Sequence, residues 1–228
     1  MQSNRLLAAL RRKDRDHLIA ACDEVELTIG DVLWEPNKRI RHVYFPLDGF
    51  ISQLVPVDAR ENLELALIGN EGMLGTWLVL GVNSSMLQAR VQGSGVALRI
   101  DVASFRRELE HIPALRKQLN RYIYVLQNQL ALTAACINFH SLELRLARWL
   151  LMTHDRANFG SFHLTHKFLA QMLGVRRVGI TNAAGLLQKR KLLSYSRGHI
   201  TILNRAGLEK ASCECYQASK DMYQQVLG

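Results

Sequence analysis

The chain lacks what it would need to cross a membrane, to be exported, or to be held by disulfides. Its apolar runs, such as Thr76 to Val82, fall far short of the ~20 residues a membrane-spanning helix requires, and its amphipathic stretches are broken by charge. The stretch MQSNRLLAALRRKDRDHLIA has no uninterrupted apolar core of the secretory type, which points to the cytoplasm. Cysteine is scarce: Cys22, Cys136, Cys213 and Cys215 show neither zinc-ribbon nor disulfide-framework spacing. A C-x-C on a terminal helix, as Cys213 and Cys215 are read, sends its thiols to diverging sides, so no metal site is expected. Between residues 25 and 100 the only histidine is His42, too little for the clustered His and Glu ligands of a metal enzyme on a β scaffold. No catalytic residue, metal or cofactor is expected, and the chain reads as a non-enzyme.

The absence of acid is more local. Lys and Arg number 29 against 20 Asp and Glu, a net charge of +9. Residues 1–149 hold 18 basic and 16 acidic side chains, whereas 150–228 hold 11 and 4. Between Asp155 and Glu209 there is no acidic residue, yet Arg156, Lys167, Arg176, Arg177, Lys189, Arg190, Lys191, Arg197 and Arg205 all fall there. A solvated face interleaves both signs. A stretch that keeps its apolar residues and drops its acids fits a surface lying against phosphates.

What is present is an ordinary globular composition, 48% hydrophobic and 21% charged over 228 residues, enough for one large domain or two modest ones. Leu6, Leu7, Leu10, Leu18, Ile19 and Cys22 sit at helical spacing, with Asp14 as the expected N-cap of a second piece. Short β-rich runs follow at Val25–Ile29, Val43–Phe45, Phe50–Val55, Leu63–Leu67 and Val96–Ile100, punctuated by glycines, and predict an antiparallel sandwich, roll or barrel. Ser104 is expected to cap a helix and Pro113 to open a longer one. In the longer one Leu115, Leu119, Tyr122, Leu126, Leu130, Thr133 and Ile137 approximate a coiled-coil seam. That spacing fits a dimerisation helix or a helix packed on its own domain equally well. Another helix is expected over about Ser141 to Thr153.

The basic third has a finer pattern. Thr165 caps a helix of about two turns that stops at Gly174, and a second helix runs to about Arg190 with Ile180, Ala183, Ala184 and Leu187 as its buried stripe. The opposite face offers Arg177, Val178, Thr181, Asn182, Gly185 and Gln188, short groups suited to a groove. Lys189, Arg190 and Lys191 close the helix where its dipole favours cations, and Arg197-Gly198 turns a hairpin between Leu192–Ser196 and His199–Leu203. Helix, turn, helix and hairpin make a winged helix, with Arg197 at the wing tip and the Thr165 helix start as seats for phosphate.

The order Leu-Thr-His-Lys-Phe-Leu-Ala-Gln-Met-Leu-Gly-Val-Arg-Arg-Val-Gly-Ile-Thr, then Leu-Leu-Gln-Lys-Arg-Lys-Leu-Leu and the Gly198 hairpin, resembles the winged-helix domain of the Crp/Fnr superfamily of bacterial transcription regulators. The glycine-punctuated β-roll and long helix upstream match that superfamily too. The resemblance implies an α+β fold in three parts: a cyclic-nucleotide-binding-like jelly roll with short N-terminal helices over 1–111, a dimerisation helix over 112–140, and a winged helix-turn-helix over 141–228. It implies a homodimer that reads a palindrome in double-stranded DNA and engages RNA polymerase, under a signal at the roll. The superfamily's reading positions fall on Arg176, Arg177, Val178, Thr181 and Asn182. Its common Arg-Glu pair is here Arg177-Val178, which removes an acceptor for cytosine while Arg177 keeps the geometry for guanine.

In cyclic-nucleotide-binding relatives an Arg holds the cyclic phosphate. Here Gly69-Asn70-Glu71-Gly72 occupies the first part of that cassette and Leu87-Gln88 stands where the Arg pair belongs, with Arg90 a strand residue beyond it. Glu71, Gly72, Leu87 and Gln88 are therefore the candidate effector pocket, and cyclic nucleotide is not the expected ligand. An architectural or RNA-binding winged-helix protein with no effector is the competing function.

Overall fold

A computed structural model describes residues 3–57, 62–156 and 161–228, with side chains left aside at 161–163. Two short helices, α1 (Arg5–Ala8) and α2 (Arg12–Ala20), lead in. The strands β1 (Asp23–Leu27), β2 (Val32–Trp34), β3 (His42–Pro46), β4 (Phe50–Pro56), β5 (Asn62–Ile68), β6 (Gln88–Gly93) and β7 (Gly95–Asp101) then form two antiparallel sheets, ordered β1-β7-β3 and β2-β6-β4-β5. β2 and β6 lie outside the β-rich runs of the sequence: one has three residues and the other is largely polar. Alternation still decides their faces, since Ala89 and Val91 of β6 are wholly buried while Gln88 and Arg90 are half-exposed.

Helices α3 (Val102–His111), α4 (Pro113–Phe139) and α5 (Leu142–His154) follow, with Pro113 at the first turn of α4, where its missing N–H costs nothing. Two expected caps shift. Asp101, not Ser104, opens α3, its carboxylate accepting the Ala103 and Ser104 N–H groups at 2.9 and 3.0 Å, because it stands where those free amides converge. Asp14 sits inside the first turn of α2 rather than before it, where its charge still meets the helix dipole.

The C-terminal part comprises β8 (Ser161–His163), α6 (His166–Leu173), α7 (Arg177–Lys189), β9 (Leu193–Ser196), β10 (His199–Ile202), α8 (Arg205–Lys210) and α9 (Cys215–Leu227). The wing is a three-stranded sheet ordered β8-β10-β9, one strand more than the expected hairpin.

Two cores result. The larger fills the roll and takes in Leu115, Leu119 and Tyr122 of α4. The smaller lies beneath α5, α6, α7 and the wing, and Leu54 of β4 reaches into it. The supposed coiled-coil seam therefore divides. Its first three residues are spent on the chain's own roll, and the exposed row of α4 is instead Asn120, Tyr124, Gln127, Ala131, Ala134 and Asn138, at the same spacing but displaced around the helix. Gly72 is fixed by this packing, because a Cβ there would meet the Tyr122 hydroxyl oxygen at 2.0 Å.

Three polar links tie the two cores. Arg156, just beyond α5, places Nε and Nη2 at 2.9 and 2.7 Å from Glu71 Oε1. The Trp149 indole N–H donates to Glu64 Oε1 at 2.6 Å, and the Ser52 hydroxyl donates to Glu64 Oε2 at 2.6 Å. Helix α9 returns along α4, and its Tyr223 hydroxyl donates to the Glu71 carbonyl at 2.7 Å. The start of that helix corrects the reading of the C-x-C. Cys213 precedes α9 instead of lying on it, so helical divergence does not apply, and both thiols turn inward beside Cys136.

Candidate nucleic-acid interface

α6 begins at Thr165, whose hydroxyl oxygen accepts the Phe168 N–H at 3.1 Å, and ends at Gly174 in the left-handed region at φ +62°. Arg145 of α5 donates to the Leu173 carbonyl at 2.6 Å, satisfying one of the open acceptors at that end. The chain then turns into α7, whose buried stripe is Ile180, Ala183, Ala184 and Leu187. Small alanines let α7 lie close to its neighbours, and burial of one stripe forces the rest outward. Arg176, Arg177, Val178, Thr181 and Asn182 are all exposed at its N-terminal end, Val178 at 63%. An apolar residue this open on a face otherwise made of donors is available to a base edge.

Behind this face stands a bracing layer absent from the sequence reading. The His166 ring stacks on Tyr195, with centroids 4.4 Å apart and planes 9° from parallel. His166 Nδ1 lies 3.0 Å from the Thr181 hydroxyl, which also reaches the Arg177 carbonyl at 3.2 Å. Burial, and secondarily the Arg177 charge, holds the His166 imidazole below its ordinary pKa and favours the neutral ring. Tyr195 donates through its hydroxyl to the Leu164 carbonyl at 2.9 Å and through its backbone N–H to Gln188 Oε1 at 2.8 Å. Gln188 is thus drawn towards the wing instead of standing free on the reading face. The only sequence sign of this layer is the aromatic character of His166 and Tyr195.

The wing tip is the pair Arg197-Gly198, with φ +49° and +86°. Two positive φ values mark the turn type whose twist matches that of the strands, and they carry Arg197 to the exposed end of the hairpin.

The acid-free interval is less bare in three dimensions than in sequence, because carboxylates from outside it reach in. Arg156 meets Glu71, Arg205 meets Asp155 at 2.6 Å and Glu209 at 3.1 Å, and Arg190 meets Glu143 of α5 at 2.8 Å. Arg190, a candidate for DNA contact, is therefore engaged within the protein. Among the described residues Lys167, Arg176, Arg177, Lys189, Lys191 and Arg197 form no ion pair, and all six are exposed.

The candidate effector residues do not assemble as the sequence suggests. Glu71 is held by Arg156 and by the Gly69 N–H, and Gly72 is closed over by Tyr122. Leu87 is buried on the way into β6, and Gln88 donates to Glu35 at 3.2 Å. Glu71 instead borders a cavity of about 410 Å³ between the roll and the C-terminal helices, lined also by Arg5, Asp155, Arg156, Tyr216 and Lys220. A carboxylate already paired with an arginine has little left for a ligand.

Residues 144–211 match the family model described as the Crp-like helix-turn-helix domain. That stretch is a Crp-like helix-turn-helix domain. No curated protein matches it in sequence. Among solved structures it is similar to FixK2 from Bradyrhizobium japonicum, at 14% identity and a TM-score of 0.70 over 84% of this chain and 98% of that one. It is also similar to the c-di-GMP-responsive regulator CLP of Xanthomonas campestris, at 14% identity and a TM-score of 0.68 over 84% and 99%. A third is a Crp/Fnr-family regulator from Thermus thermophilus, at 20% identity and a TM-score of 0.62 over 83% and 98%. More than four fifths of the chain thus shares the fold of those regulators, and no described helix in it is long and apolar enough to cross a membrane.

Proposed function

We propose that this chain is a cytoplasmic, homodimeric transcription regulator of the Crp/Fnr type that reads a dyad-symmetric site in double-stranded DNA through α7. The observation that carries the reading is the set of six exposed cations that form no ion pair among the described residues, gathered at the ends of α6 and α7 and at the wing tip, around an exposed N-terminal face of α7. In this reading Arg176, Arg177, Val178, Thr181 and Asn182 face the base edges, with Arg177 suited to guanine O6 and N7. Thr165, Lys189, Lys191 and Arg197 hold phosphates and fix the register, while Arg190 serves α5. The exposed row of α4 from Asn120 to Asn138 is the pairing face. A signal received at the roll passes through the Glu71–Arg156 and Glu64–Trp149 links, and RNA polymerase is the further partner.

Binding-site selection with the full chain tests this. The expected result is a palindromic consensus. Arg177→Ala should relax preference at one position of each half-site by about 1–3 kcal/mol. Lys189→Ala should weaken all sequences alike and lower the salt slope by about 1. Selection without dyad symmetry, or tighter binding to RNA than to duplex DNA, would favour the architectural or RNA-binding alternative.

A further inference from the structure

Cys136 and His140 lie one turn apart at the end of α4, with His140 its C-cap. Cys213 and Cys215 flank the start of α9, more than seventy residues later in the chain. The fold brings one ligand atom from each of the four within 4.8 Å of all the others. The three cysteines are 2–4% exposed and form a small cluster of their own, separate from both main cores.

We propose that Cys136, His140, Cys213 and Cys215 form a Cys3His zinc site that staples the end of α4 to the start of α9. Two edges of the cluster have the lengths a tetrahedral zinc site requires, and every other pair lies within 4.8 Å. With Zn–S near ~2.3 Å and Zn–N near ~2.0 Å, neighbouring sulfurs stand about 3.8 Å apart and a sulfur–nitrogen edge is about 3.5 Å. The Cys136 and Cys213 sulfurs are 3.5 Å apart, and Cys215 Sγ is 3.6 Å from His140 Nδ1. A disulfide needs ~2.05 Å between two sulfurs and has no use for a third thiol and an imidazole in the same volume.

The surroundings fit the same centre. His140 Nε2 stands 3.0 Å from Glu214 Oε1, the carboxylate arrangement that fixes the proton on Nε2 and leaves the Nδ1 lone pair for the metal. Zinc binding displaces the three thiol protons, so the ion and three thiolates together carry one negative charge. Arg148, 6% exposed and with its Nε unpaired among the described residues, is the neighbouring cation that favours the Cys136 thiolate and balances that charge. Soft thiolates with one imidazole in a closed, buried tetrahedron select zinc over harder cations. The site would hold α9 against α4 at the bend into α5, where the roll's long helix gives way to the reading unit.

The test is metal analysis of the full chain purified under reducing conditions, followed by removal and reloading with zinc or cobalt chloride. One zinc per chain is expected, and cobalt should give the strong visible bands of a tetrahedral thiolate site. Cys215→Ser should cut occupancy at least tenfold, whereas Cys22→Ser, outside the cluster, should leave it unchanged. Glu214 is 81% exposed, so Glu214→Gln does not threaten the fold, and it should weaken zinc binding about 10–100-fold. Failure of the reduced wild-type chain to retain or take up zinc overturns the proposal. So does iron with labile sulfide at the site, or equal binding by wild type and Glu214→Gln.

Discussion

Glu64 is almost wholly shielded from water between β5 and α5, and its two oxygens accept from Ser52 and Trp149. Burial raises its carboxyl from an ordinary 4.5 to about 7, against the opposing pull of those two donors and of Arg156 and Arg148. A raised carboxyl pKa means that the folded chain holds the proton more tightly than the unfolded one. The resulting stabilisation is complete below the ordinary value and is lost as pH climbs through about 7. Glu64→Gln stays neutral throughout and keeps one oxygen for Trp149. Between about pH 5 and about pH 8 the wild type should therefore lose up to about 3 kcal/mol relative to Glu64→Gln. Denaturant titrations of both proteins across that range check it, and parallel curves would show that Glu64 does not titrate there. The same scale decides the roles of the cations: Lys189 is open to solvent, whereas Arg190, its neighbour in sequence, is held by Glu143.

Among the elements, α4 carries the most competing demands. Its first half belongs to the roll's core, and Tyr122 lies directly over Gly72. Gly72→Ala forces a methyl into the space of the phenol ring and should cost about 1–3 kcal/mol, the usual penalty of overpacking, read as a shift in denaturant midpoint at unchanged slope. A loss under about 0.5 kcal/mol would mean that the ring swings aside freely. Helix α4 also shows where sequence reading reaches its end. The winged helix was legible because its signals are local: Thr165 before α6, Gly174 after it, four small or apolar residues at i, i+3, i+4 and i+7, and a glycine turn. The face of α4 was not, because a stripe turned to the chain's own core and a stripe turned to a partner recur at nearly the same period. The pairs Glu71–Arg156 and Glu143–Arg190 are illegible in the sequence for another reason. Their members are 85 and 47 residues apart, and no local pattern joins them. Cys136 and His140 pointed to nothing until the fold set them beside Cys213 and Cys215.

For the molecule as a whole, Arg156 and Glu71 decide how far the roll and the reading unit act as one body. Their side chains are 9% and 13% exposed, so each charge depends on the other for solvation. Arg156→Met leaves Glu71 buried without its partner and should cost about 3–5 kcal/mol. Because that cost falls at the join, the expected calorimetric signature is a single transition in the wild type that separates into two in the variant, the roll and the C-terminal part melting apart. Removing the second charge as well, in Arg156→Met with Glu71→Met, leaves nothing uncompensated and should recover most of the loss, since the two residues are in contact and their effects do not add. Were the double variant as unstable as the single one, the pair would owe its effect to shape rather than charge, and the join would have to rest on Glu64, Trp149 and the return of α9 along α4.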